Sequence, residues 1–104
     1  MLKVESMVEV IKLNKKAESL LSHPLRVLIL IYQLGECTVS YLVKASGGMS
    51  ASTITKYVRE LESLGLISVT QGKTNVGTEK KIIKISDKGL QVINYIIKLN
   101  ELLS

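Results

Sequence analysis

Phe and Trp are absent from this sequence of 104 residues, and Pro, Cys and His occur once each. Without the large aromatics, the interior must be filled by Leu, Ile and Val, which suits a compact globular chain at 46% hydrophobic residues. The single Cys37 cannot build an internal disulfide framework, which fits a reducing compartment. Together with His23 it also falls short of the four ligands of a tetrahedral metal site, so no metal and no cofactor is expected. The longest uninterrupted apolar run, residues 27–32, is far below a membrane span. Residues 1–16 interleave charges with apolar side chains, unlike a secretory signal, so a cytoplasmic location away from membranes is expected. Tyr32, Tyr41 and Tyr95 share no strand face on which bases would stack, and read as core or interface residues. No nucleophile with a base, no glycine-rich phosphate loop and no paired acids can be assembled, which argues against an enzyme.

Cations are in surplus: fourteen Lys and Arg against nine Asp and Glu, a formal net of +5. Phosphate neutralisation releases counterions, so such a surplus favours a polyanionic partner. Between residues 50 and 88 seven cations (Lys56, Arg59, Lys73, Lys80, Lys81, Lys84, Lys88) meet four anions (Glu60, Glu62, Glu79, Asp87), a local net of +3. Lys outnumbers Arg twelve to two; this bias with ample Glu fits a thermophilic source, and an A/T-rich genome produces it too.

At this length one domain is expected, over residues 1–104, mainly α with a small β-hairpin. Residues 2–21 place Val4, Met7, Val8, Ile11, Ala17, Leu20 and Leu21 among charges, as an amphipathic leading helix does. Ser22-His23-Pro24 breaks it and opens a second helix to Leu34, ended by Gly35 and apolar nearly all round, hence central. Thr38 or Val39 begins a short third helix through Ala45, with Leu42 and Val43 inward. Ser46-Gly47-Gly48-Met49 turns into residues 50–64, where Ser50 is an N-cap and Gly65 a C′ residue. In that helix Ile54, Val58, Leu61 and Leu64 form the buried stripe. Ser52, Thr53, Thr55, Lys56 and Arg59 lie outside it and offer hydroxyls and cations. Residues 66–71 and 81–85 alternate as strands around a polar loop, 72–78, so the pair reads as a hairpin with a basic tip. Ser86-Asp87 caps a last helix to about Leu103, in which Leu90, Ile93, Ile97, Val92, Ile96, Leu99 and Leu103 make an apolar face broader than a small domain covers. Residues 1–21 and 87–104 are thus expected to meet their counterparts in a second subunit, flanking a core of residues 22–86.

The order of elements, with three motifs, resembles the winged helix-turn-helix regulators of prokaryotes. Leu21-Ser22-His23-Pro24-Leu25-Arg26-Val27-Leu28-Ile29-Leu30 looks like the helix-opening motif of ArsR-type regulators. Ser50-Ala51-Ser52-Thr53-Ile54-Thr55-Lys56-Tyr57-Val58-Arg59-Glu60-Leu61, followed by Glu62-Ser63-Leu64-Gly65-Leu66-Ile67, is similar to the recognition helix and exit strand of ArsR and MarR types. Ile85-Ser86-Asp87-Lys88-Gly89-Leu90 resembles the wing-to-last-helix junction of MarR and PadR types. The resemblance implies that Ser50, Ser52, Thr53, Thr55 and Lys56 approach a major groove and Arg59 the phosphate backbone. It puts Lys73, Thr74, Asn75 and Lys80 on the wing, near a minor groove or its phosphates. Cys37 stands where metal-sensing ArsR members place closely spaced thiolates, but no second thiol accompanies it.

These readings converge on a homodimeric transcriptional regulator that binds double-stranded DNA sequence-specifically. Two other readings use the same fold: an architectural nucleoid protein with little sequence preference, and a module that docks to protein.

Overall fold

The computed structural model of the chain describes residues 19–73 and 79–103. Its elements are α1 (His23–Leu34), α2 (Val39–Ser46), α3 (Ala51–Ser63), β1 (Ile67–Lys73), β2 (Glu79–Ile85) and α4 (Asp87–Leu103). The expected leading helix lies outside the described residues except for its end: Ser19 and Leu20 are helical, and Leu21 is buried in the core.

The chain reaches α1 through extended Ser22, and Pro24 occupies the first turn, where a missing N–H leaves no bond unmade. Gly35 ends the helix and donates its N–H to the Ile31 carbonyl at 3.0 Å. Val27, Leu28, Ile29 and Ile31 are buried, and α1 packs against α2, α3, β2 and α4. It is the central helix that its apolar circumference demands, since each fully buried aliphatic side chain contributes about 1.5 to 3 kcal/mol. Leu42 from α2, Ile54 and Leu61 from α3, Ile83 from β2 and Ile93 from α4 complete the core around it.

β1 and β2 pair antiparallel from Ile67↔Ile85 out to Lys73↔Glu79. The strands therefore run two residues further than alternation alone indicates, and Gly72 and Lys73 belong to β1 rather than to the connecting loop. Alternation fades there because both strands turn polar next to the loop, while backbone pairing needs no apolar side chain. Cys37 adds a one-residue bridge to the other edge of β2, its N–H reaching the Ile83 carbonyl at 3.1 Å and Ile83 N–H its own carbonyl at 2.7 Å. Beside it, Lys84 and Glu36 form an ion pair at 3.3 Å with both side chains mostly in solvent, which contributes little.

α4 begins at Ser86, whose Oγ accepts the Gly89 N–H at 3.0 Å. Gly89, Ile93 and Ile96 are buried, and Val92, Ile97 and Leu99 pack against the core from its edge. Leu90 is 39% exposed and Tyr95 74%, so Leu90 does not share the buried stripe and Tyr95 is no core residue. Gly89 is required by close approach: a Cβ there would stand 2.1 Å from the Leu66 carbonyl oxygen and 2.6 Å from Ile85 Cγ1. Gly89→Ala is accordingly expected to cost about 3 kcal/mol or more, because backbone must move to admit the methyl group. Denaturant unfolding checks this, and an unchanged midpoint would show that the first turn of α4 gives way freely.

Candidate nucleic-acid interface

α3 is built by signals at both ends. At the start, extended Ser50 accepts the Thr53 N–H on its Oγ at 3.2 Å. The same hydroxyl donates to Thr53 Oγ1 at 2.9 Å and lies 3.2 Å from Ser52 Oγ. Its one proton and its lone pairs are thus engaged within the helix start. Ser50 is thus the N-cap of α3. Ser46 fixes the approach, its Oγ donating to the Val43 carbonyl at 2.8 Å and accepting the Met49 N–H at 3.1 Å.

At the far end Gly65 N–H bonds the Glu62 carbonyl at 2.9 Å and Leu66 N–H the Leu61 carbonyl at 3.0 Å. These are the two bonds of a Schellman motif, and the positive φ of 78° at Gly65 is the left-handed residue it needs. Buried Leu66 after the turn and buried Leu61 before it supply the hydrophobic contact that accompanies such an ending. Leu64, expected in the buried stripe, is instead 58% exposed. As the capping residue it falls where the chain is already turning out of the helix, so the stripe ends at Leu61.

Between these ends Ile54, Val58 and Leu61 are buried, and Ser52, Lys56 and Arg59 are exposed along the opposite line. Thr53 and Thr55 stand half-buried on the two flanks of that line. Hydroxyls therefore border a ridge that carries the cations, and Glu60 and Glu62 are confined to the last turns. The Tyr57 ring stacks on His23, centroids 6.2 Å apart and planes 6° from parallel, tying α3 to the opening of α1.

On the hairpin, Lys80 is exposed on β2 as expected of a wing residue. Lys73 is in β1, opposite Glu79, and Thr74 and Asn75 lie outside the described residues. A hollow of about 240 Å³ that the sequence reading missed is lined by Lys80, Lys81, Thr38, Val39 and Ser40. It lies beside the start of α2, where Thr38 Oγ1 accepts the Tyr41 N–H at 3.2 Å. Lys81 carries no local motif to reveal this, since its part depends on how the hairpin folds back on α2.

The model of the MarR family matches residues 23–75, just over half of the chain and the whole stretch from α1 through α3 into the hairpin. The chain belongs to the MarR family. It is therefore a transcriptional regulator of winged-helix type, with the DNA binding that this implies. Among solved structures, a PadR family transcriptional regulator from Eggerthella lenta is similar at a TM-score of 0.65 and 23% identity, over 96% of this chain and 84% of that one. A possible transcriptional regulator from Methanosarcina mazei is similar at 0.57 and 22%, over 92% and 77%. A MarR-like regulator from Thermotoga maritima gives 0.57 and 18%, over 93% and 66%. At these identities the likeness is one of fold. No curated protein matches the chain in sequence.

In this MarR-family chain Cys37 is buried, and desolvation raises its thiol pKa. Among the described residues no three His, Cys, Asp or Glu side chains gather to hold a metal ion, and no helix is long and apolar enough to cross a membrane. A thiol held neutral by the fold stabilises it fully below the unfolded thiol pKa, about 8.5, and that contribution is lost as pH rises towards the higher folded value. The denaturant midpoint is therefore expected to fall as pH rises above about 8.5, by less in Cys37→Ala, and native Cys37 should react with iodoacetamide far more slowly than unfolded chain. Ser50→Ala should cost about 1 kcal/mol of stability as a lost cap, against about 0.5 kcal/mol or less for exposed Ser52→Ala. Equal losses in paired unfolding curves would contradict the division of labour between the two serines.

Proposed function

We propose that the chain is a homodimeric regulator that binds double-stranded DNA sequence-specifically, with α3 in the major groove and the hairpin beside the adjacent minor groove. The observation that supports this best is the division of α3, aliphatic and buried on one side, with Ser52, Lys56 and Arg59 in solvent on the other. In this reading Ser50, Ser52, Thr53, Thr55 and Lys56 approach the major groove, and Arg59 neutralises a phosphate. Lys80, with Lys73, Thr74 and Asn75 of the wing, contributes sequence-independent affinity. Lys81 joins them from the hollow beside α2.

Dimerisation is supported by apolar surface at the two ends of the chain. Leu20 is 66% exposed, Tyr95 74% and Leu102 75%, all on the leading or last helical segments. A second copy covering them through the same helices relates two α3 helices by a two-fold axis, and successive major grooves on one face of DNA lie about 34 Å apart. The binding site is then an imperfect palindrome with half-sites about one helical turn apart.

Lys56→Ala and Arg59→Ala should each weaken duplex binding and lower the slope of log affinity against log salt by about one where the lost contact is a phosphate. Selection from random duplexes at fixed ionic strength should return a palindrome preferred by about a thousandfold or more over random sequence. A much smaller preference would assign the chain an architectural role instead. Binding unaltered in both variants, or no duplex binding at low salt, would sink the assignment of α3 and favour a protein-docking module.

A further inference from the structure

The exit of α3 and the entry of α4 are separated by the whole hairpin in sequence, yet their backbones are locked together. Three successive carbonyls leaving α3 are each taken up by a donor from the start of α4. The Leu64 carbonyl accepts Lys88 Nζ at 2.9 Å, the Gly65 carbonyl Ser86 Oγ at 2.6 Å, and the Leu66 carbonyl the Ser86 N–H at 3.0 Å. Ser86 Oγ also accepts the Gly89 N–H, so one hydroxyl caps α4 and holds the end of α3. Gly89, with no room for a Cβ against Leu66, seats the first turn of α4 directly on this backbone. The lysine stem passes over Gly65, 3.7 Å from where a Cβ on that residue would stand.

We propose that this joint sets the angle between α3 and α4, and so the distance between the two recognition helices of a dimer, with Ser86 and Lys88 as positioning residues for operator spacing. The inference rests on the reading of α4 as a dimerisation helix. Its physical basis is leverage: the groups that face DNA sit at the N-terminal end of α3 and the joint at its C-terminal end. Over the thirteen residues of α3, about 20 Å at 1.5 Å per residue, a 10° change at the joint moves the reading end by about 3 to 4 Å. That is about one base-pair step of the half-site spacing. A donor held by carbonyls of the α3 exit need touch no base to decide which spacing both half-sites can occupy together.

The test uses the full chain and a duplex carrying its selected palindrome, with the central spacer lengthened or shortened by one and two base pairs. Wild type should prefer one spacer by about tenfold or more. Lys88→Met and Ser86→Ala should reduce that preference to about threefold or less, while affinity for a single half-site and dimerisation stay within about twofold of wild type. Lys88→Arg and Ser86→Thr, which keep a donor at each place, should restore the preference. Ser86→Ala changes no charge, so a matching loss in it and in Lys88→Met separates positioning from phosphate attraction. If folded, dimeric Lys88→Met and Ser86→Ala retain the wild-type spacing preference, the joint is overturned and the dimeric regulator stands. If wild type binds all spacers alike, the dimeric operator reading fails, and the positioning role falls with it.

Discussion

Ile54, Val58 and Leu61 have to be buried, and the outer surface of α3 is where it is because of them. On a helix, whatever lies about 180° from a buried stripe must face solvent. Burying the three is worth about 1.5 to 3 kcal/mol each, a large part of the 5 to 15 kcal/mol by which a domain is stable. Rolling α3 by one residue would expose aliphatics and press Lys56 or Arg59 towards α1. The ends remove the remaining freedom, since Ser50 fixes where the helix starts and the Schellman turn at Gly65 where it stops. Rotation and length are thus set before any nucleic acid arrives, and the cationic ridge is presented without reorganisation.

Much of this was legible in the sequence because it depends on neighbours along the chain. Caps act within three residues, so Thr38, Ser50 and Ser86 could be read as helix starts, and Gly35 and Gly65 as stops. The helical period likewise revealed the buried and open sides of α3. What escaped was set by partners far away in sequence. Tyr57 has His23 for a partner, and nothing within a helical turn of either residue announces the other. The need for Gly89 comes from the Leu66 carbonyl, which occupies the place of its Cβ from across the hairpin. Lys81 comes to line a hollow with the start of α2 only through the folding of the hairpin against that helix. Leu64 was misplaced for a related reason: periodicity continues on paper after the chain has left the helix. The MarR family match covers the part in which local signals are dense, from α1 to the hairpin.

The Cys37 bridge bears on how the hairpin can bend. Two strands alone are marginal in water, and here the inner part of the ribbon gains a third backbone from the connection between α1 and α2, at the level of Ile83. Beyond that level, Thr70↔Ile82, Gln71↔Lys81, Gly72↔Lys80 and Lys73↔Glu79 are paired only with each other among the described residues. Four pairs correspond to about 13 Å of ribbon at 3.3 Å per residue. The base of the wing is therefore welded to the helical body at the level of Ile83, so its direction is fixed by the α1–α2 connection as well as by its own ladder.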